Sequence, residues 1–183
     1  FVSDLRTGAM SGGSGEQAVL MAACGQMAQF YNLPSGIAAG MTDSKIPDAQ
    51  SGYEKGYTVT LAGHSGANLV YESAGMHASL LGCCLESYVI DNDMLGAINR
   101  TVRGIEVNAE TLSLGPIRDV CLDGPGHYLG HEQTLKRMQT DYLYPTVGDR
   151  ENINNWIEQG STDSIQRAHL KVKEILKTHF PNN

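Results

Sequence analysis

Short apolar runs alternate along this chain with longer stretches whose apolar residues recur at helical spacing. Phe1 to Leu5 is the first run and reads as a strand. A glycine-rich turn, Arg6 to Ser14, follows it. Ser14-Gly-Glu-Gln17 has the form of a capping box, with Ser14 as N-cap and Gln17 reaching back. Leu20, Cys24, Met27 and Tyr31 continue at helical spacing until Leu33-Pro34 ends the run. The plan then repeats. Ser35 to Ala39 is a small-residue strand and Gly40 to Lys45 a loop. Pro47 opens a helix with Asp48 in its first turn, where negative charge suits the dipole. Ala49, Tyr53, Thr60 and Leu61 are its expected buried stripe. Ala67 to Glu72 is a further strand, followed by Ser73-Ala-Gly75.

A long helical stretch is expected from near His77, and beyond it two readings stay open. Leu80, Cys84, Tyr88, Asp91, Leu95, Ile98 and Val102 fit one face of a single long helix. Alternatively Tyr88-Val-Ile-Asp91 is a strand and Leu95 to Ile105 its helix, and periodicity does not separate the two. After Val107, Thr111 to Leu122 reads as a helix and Asp123 to His127 as a turn. Residues 131 to 141 are helical in pattern, and Tyr142-Leu-Tyr-Pro145 breaks them. The last helix carries Ile165, Ala168, Val172, Ile175 and Leu176 on one side, with Lys171, Lys173 and Lys177 in its second half.

Strand–loop–helix units in series predict an α/β fold, a parallel sheet covered by helices. A (β/α)8 barrel and a doubly wound sheet both fit. Either fold binds ligands at the carboxyl ends of its strands. That rule selects Arg6 to Ser14, Met41 to Lys45, and Glu72 to Gly75. Because Phe1 is not a start methionine, the chain is expected to be the downstream part of a larger enzyme.

Composition narrows the function. The net charge of −7 and the absence of a basic stripe argue against nucleic acid, and no apolar run approaches a membrane span. Cys24, Cys83, Cys84 and Cys121 form no CxxC pair, which points to a reducing cytoplasm with these residues as small buried hydrophobes.

Among the polar residues, Glu72 stands out: a carboxyl at the end of an apolar strand is costly to bury unless paired or used. Tyr71 points to the opposite face of that strand. Asp43, just past a strand end, either caps the next helix or binds a cationic group; Asp91, in Asp91-Asn-Asp93, either caps a helix or serves the site. The loop Gly8 to Gly15 lacks the P-loop and dinucleotide signatures, so a tight turn admitting close approach is its expected role. His127-Tyr-Leu-Gly-His131-Glu132 offers zinc-like spacing, although Gly124, Gly126 and Gly130 disfavour a helix there and leave capping and packing as the alternative.

A set of motifs ties these pieces to a family. Asp4-Leu-Arg-Thr-Gly8, Ser11-Gly-Gly-Ser-Gly-Glu16, Asp48-Ala-Gln-Ser-Gly-Tyr-Glu-Lys55, Tyr71-Glu-Ser-Ala-Gly-Met76, Val89-Ile-Asp-Asn-Asp93, Arg103-Gly-Ile-Glu-Val107, Gly126-His-Tyr-Leu-Gly130 and Asp141-Tyr-Leu-Tyr-Pro145 occur in that order. Together they resemble the trimethylamine–corrinoid methyltransferase family from Phe1 to about Phe180. The resemblance implies the C-terminal portion of a (β/α)8 TIM-type barrel over residues 1–110, with a helical C-terminal extension over 111–183. It implies methyl transfer from trimethylamine to the Co(I) corrinoid of a partner protein, leaving dimethylamine, as the entry to methanogenesis from methylamines. The corrinoid is carried by that partner, not bound by this chain, and the enzyme is expected to be a cytoplasmic homo-oligomer. Glu72 and Asp43 are the expected catalytic residues, and Tyr71, Gln17 and Asp91 the expected substrate-binding ones; carboxylates and aromatic faces suit a methylated cation.

One departure from the pattern matters. Methylamine-specific members carry pyrrolysine, and every position here is a standard residue. Similar members without pyrrolysine act on glycine betaine, which is therefore the alternative substrate. A zinc hydrolase on His127, His131 and Glu132, and a non-catalytic half-barrel scaffold, are the competing readings.

Overall fold

The computed structural model describes residues 2–179 of the chain, so Phe1, part of the first expected strand, lies outside the described residues. The described chain is α/β. Its centre is a parallel pair, β3 (Gly36–Ala38) and β4 (Leu69–Tyr71), in the register Gly36–Leu69, Ile37–Val70 and Ala38–Tyr71. α2 (Ala49–His64) crosses between them, making a β–α–β unit, and α1 (Gly15–Phe30) packs beside α2 and β3.

Two small antiparallel hairpins flank this unit in sequence. β1 (Val2–Ser3) pairs with β2 (Met10–Ser11), and β5 (Met76–His77) with β6 (Gly82–Cys83). The strand expected at Phe1 to Leu5 is thus one arm of a hairpin, not a member of the parallel sheet. Among the described residues the three ladders are separate pairs and no barrel closes.

The single-helix alternative holds after residue 84: α3 runs from Leu85 to Arg103 without a strand at Tyr88. It does not begin near His77, because β5 and β6 occupy that stretch. α4 (Leu114–Cys121), α5 (Glu132–Thr140), α6 (Ile153–Glu158) and α7 (Ser164–Thr178) complete the described chain. A capping box starts α7: Asp163 accepts from the Gln166 amide, and the Gln166 side chain accepts from Asp163.

By compactness the chain divides into two units. One combines the residues up to Val102 with those from Pro145 onward, and the other spans Arg103–Tyr144. In the second, Glu110 on the segment before α4 pairs with Lys136 and Arg137 of α5. In the first, Asp93 of α3 accepts three backbone N–H groups, from Thr146, Val147 and Gly148, and so fastens the returning chain to α3. His169 of α7 and Glu86 of α3 form an ion pair at 2.7 Å, and the His169 side chain holds the Glu86 carboxyl down at about 2.

The apolar core is small: Ile37, Ala39, Val59, Ala62 and Ile98, with Met21, Val70 and Leu95 against it. Its composition explains two departures from the periodicity. In α1 the expected stripe of Leu20, Cys24, Met27 and Tyr31 faces outward. The buried side is Gln17, Ala18 and Gly25. Small residues let the helix approach closely, since a Cβ on Gly25 would sit 2.8 Å from Ile37 Cδ1. In α2 the expected stripe also fails. Tyr53 and Leu61 are exposed, and the helix buries Ser51, Glu54, Lys55 and Thr58 beside Val59 and Ala62. Cys24, Cys83 and Cys121 are exposed thiols, not the buried hydrophobes expected.

Burial pushes the Asp93 carboxyl up, but the three N–H donors outweigh it and hold the group below its usual range. Removing it leaves those donors without an acceptor. Asp93→Ala in the full-length protein is expected to cost about 2 kcal/mol. Because a depressed carboxyl contributes above its unfolded pKa, the deficit relative to wild type should shrink as pH falls below about 4. Urea unfolding midpoints at pH 7 and pH 3 check both points.

Candidate functional site

The segments that follow the carboxyl ends of β3 and β4 carry several of the polar side chains singled out in the sequence, beginning with Asp43 and Glu72. The Gly-rich loop reaches α1 through Gly12 and Gly13. A Cβ on Gly12 would lie 3.0 Å from Met41, and one on Gly13 would overlap Glu54 Oε2. The neighbours these glycines admit are parts of the chain itself, Met41 and Asp43 of the loop after β3 and Glu54 of α2, whereas close approach of a substrate was the role expected of them.

Asp43 sits in the loop after β3 and is surrounded by donors. It accepts from Gly12 N at 2.8 Å, from Ser79 Oγ at 2.7 Å, more weakly from Gly13 N, and from Ser11 Oγ. Burial raises its pKa, and the Ser11 and Ser79 hydroxyls with the two amides outweigh that, so the carboxyl titrates below its usual range. Asp43 does not cap α2; Asp48 does, accepting from Ser51 N at 2.9 Å. A groove of about 430 Å³ opens beside Asp43, lined also by Thr7, Ser11, Lys45 and Ser79.

Glu54, from the buried face of α2, accepts from Thr42 Oγ1 at 2.5 Å and from Asp43 N at 2.8 Å, with Gln50 on its other oxygen. Nearby, Tyr57 donates to Gly13 O. Burial first, then the negative charges of Glu54 and Asp43, push the Tyr57 phenol up to about 12, so it stays a donor.

Glu72 follows β4 directly. Its φ is +63°, in the left-handed region that a non-glycine residue occupies at a cost of about 1–3 kcal/mol. Its Oε2 is buried without a hydrogen-bond partner. Gln17, only 2 % exposed, is in the same condition: neither amide atom has a partner. The reciprocal half of the expected capping box is therefore absent, although Ser14 does accept from Gln17 N. Among the described residues nothing pairs with this buried amide or this buried carboxyl oxygen, and each carries a desolvation cost. Tyr71, next to Glu72 in sequence, is exposed, its ring lying against Gly36 at the start of β3.

Asp91 lies deeper. Its Oδ2 accepts from Lys55 Nζ and from Gly75 N, each at 2.7 Å. Buried beside it, His77 Nε2 meets Ser87 Oγ at 2.6 Å, while His77 Nδ1 has no partner. Burial and the Lys55 charge push the His77 imidazole down, so it is neutral at pH 7.

The sequence pattern singled out Asp43, Glu72, Gln17, Tyr71 and Asp91 but not Glu54, Lys55, His77, Ser79 or Ser87. Glu54-Lys55 is an adjacent charged pair in a helix, a pattern that ordinarily marks a solvated face, and no periodic signal distinguishes it. The zinc-like spacing does not form a site. His131 is the N-cap of α5, accepting from Gln133 N through Nδ1, and His127 lies in the preceding loop. Among the described residues no group of three His, Cys, Asp or Glu side chains is placed to hold a metal ion.

The family follows from comparison. The sequence model of the family described as trimethylamine methyltransferase (MTTB) matches residues 1–183. The chain belongs to the trimethylamine methyltransferase family. It is 39 % identical over 177 residues to the trimethylamine methyltransferase MttB of Methanosarcina thermophila, covering 96 % of this chain and 36 % of that protein. It is 38 % identical over 177 residues to MttB of Methanosarcina barkeri strain Fusaro, covering 96 % of this chain and 35 % of that protein. It is also 32 % identical over 181 residues to the glycine betaine methyltransferase of Desulfitobacterium hafniense strain Y51, covering 98 % of this chain and 37 % of that protein. The chain thus spans little more than a third of the length of these relatives. For this family member, no helix among the described residues is long and apolar enough to cross a membrane.

His77 makes the site's stability pH-dependent. A histidine held neutral in the folded state and free to protonate in the unfolded one lowers stability as pH drops below about 6.5. Wild-type unfolding midpoints should therefore fall between pH 7.5 and pH 5.5, and His77→Gln should flatten that slope. An equal slope in the variant removes His77 as its source.

Proposed function

We propose that the protein of which this chain is a part transfers a methyl group from trimethylamine to the Co(I) corrinoid of a small partner protein, releasing dimethylamine. Membership of the trimethylamine methyltransferase family supports the reaction class. The single structural observation that carries the site is Glu72, strained at the end of β4 with a buried, unpartnered Oε2.

In this reading the N–CH3 bond breaks with its electron pair left on nitrogen. The substrate is taken as trimethylammonium, whose N–H proton stays on nitrogen so that neutral dimethylamine is released, and the Co(I) corrinoid carried by the partner would supply the electron pair that accepts the methyl group. What this chain contributes is binding and orientation. Glu72 faces the positive nitrogen, and the Gln17 amide offers a second polar contact at a position with no competing partner of its own. Tyr71 adds an aromatic face, which suits a methylated cation. Asp43, which its own loop already supplies with donors, shapes the wall beside the groove and keeps negative charge there. Charge of that sign favours an ammonium substrate over an anion. All 183 positions are written as standard residues, so a pyrrolysine either lies outside this stretch, stands here as a standard residue, or is absent as in a betaine-type relative.

We further read the parallel β3–β4 pair as part of a (β/α)8 barrel completed by the rest of the parent chain. The outward apolar residues of α1, Val19, Leu20, Met27 and Phe30, support this, since such a face ordinarily packs against something. A cytoplasmic homo-oligomer working in methylamine-dependent methanogenesis fits the same family reading.

Glycine betaine is the second substrate reading, favoured by the 32 % identity to a glycine betaine methyltransferase. One assay separates them. The full-length protein is mixed with a reduced corrinoid protein, and the cobalt absorbance is followed after adding trimethylamine and, separately, glycine betaine. Conversion with trimethylamine alone supports the first reading, and conversion with betaine alone supports the second. Silence with both sinks each. In the same assay Glu72→Gln, which keeps shape and removes charge, is expected to lower kcat/KM by about tenfold to a hundredfold, the worth of one hydrogen bond to a charged group.

A further inference from the structure

We propose that the buried Lys55–Asp91 ion pair is a positioning device: it holds the Gly75 amide, and through it the strained segment that presents Glu72. The inference rests on the reading of Glu72 as an amine-binding group.

The segment from Glu72 to Ser79 is unusual in its backbone. Glu72, Gly75, Ala78 and Ser79 have φ of +63°, +78°, +48° and +60°, and three of these residues are not glycine. Such a run persists only where its surroundings over-determine it. The far end is held by the loop after β3, with Ala78 N on Ser44 O at 2.8 Å and Ser79 N on Thr42 O at 2.7 Å. The near end is held by α3. The Tyr88 ring occupies the space where a Gly75 Cβ would be. Asp91, three residues along the same helix, accepts the Gly75 N–H. Gly75 is therefore gripped by two residues on one face of α3, three positions after Glu72.

Lys55 is what allows Asp91 to be there. The side chains are 1 % and 5 % exposed, and their N–O separation is 2.7 Å. A buried carboxylate without a partner charge is strongly disfavoured, whereas a buried ion pair contributes little stability compared with apolar residues of the same volume. Stability therefore gives little reason for the pair, and its contact with Gly75 does. The same contact reassigns Asp91, whose Oδ2 is occupied by donors of its own chain, from touching substrate to acting through Glu72.

The test compares full-length variants in which the charges are removed together. In K55M/D91N no buried charge is left, and the introduced carboxamide still offers an oxygen to Gly75 N–H. In K55M/D91L the acceptor is gone. Unfolding midpoints of the two are expected to agree within a few degrees. K55M/D91L should lose at least about tenfold in kcat/KM for trimethylamine, and K55M/D91N should recover most of it. K55M/D91A replaces the leucine variant if that does not fold, since alanine favours the helix. The deciding measurement adds E72Q. If the pair acts through Glu72, losing the acceptor costs less than about twofold more in an E72Q background. Independent multiplication of the two losses overturns the proposal, as does wild-type kcat/KM in a folded K55M/D91L. An E72Q variant as active as wild type overturns it by a different route, by removing the role of Glu72 on which it stands.

Discussion

Neither Lys55 nor Asp91 could be buried alone, and much of the described structure follows from their being buried together. A charge taken from water without a partner is more costly than the stability of most domains allows, so each residue requires the other at hydrogen-bond distance. That requirement sets the rotation of α2, which buries Glu54, Lys55 and Thr58 and turns Tyr53 and Leu61 outward. It sets the facing side of α3, where Asp91 meets Lys55 while Ile98, two turns on, joins the apolar core. Through Gly75 N it also fixes where the chain goes after β4.

The interior around the strand ends is accordingly polar, and most of it is satisfied. Asp43 and Glu54 are each surrounded by hydroxyl and amide donors, and Tyr57 closes the Gly13 carbonyl. Satisfied groups of this kind specify a conformation and hold it rigid. Against that background the exceptions among the described residues are few: the Gln17 amide, Glu72 Oε2 and His77 Nδ1. A buried polar atom without a partner is the condition a polar or cationic ligand relieves, and two of these three belong to residues at the entrances to α1 and the β4 loop.

Negative charge is concentrated in this region without dominating the molecule. Asp43, Glu54, Glu72 and Asp91 are distributed over the loop after β3, α2, the end of β4 and α3, and Lys55 is fully committed to Asp91. Lys45, a cation, also lines the groove beside Asp43. The relatives are named for trimethylamine and for glycine betaine, both methylated nitrogen compounds.

By itself the sequence determined the local elements. The N-cap Ser14, the breaks at Leu33-Pro34 and Pro145, the glycine-rich turn and the final amphipathic helix all arise from interactions within a few residues, and such signals are written where they act. The candidates Asp43 and Glu72 were also legible, because a carboxyl past an apolar strand is anomalous in any fold of this class. Tertiary structure decided which faces turned inward. Leu20, Met27, Tyr53 and Leu61 have the spacing of buried stripes and lie outside, while Gln17, Glu54 and Lys55 have the composition of a surface and lie inside. A residue's hydrophobicity states its preference for water, but a partner remote in sequence can override it. Asp91 is 36 positions from Lys55, and only folding brings the two charges to 2.7 Å.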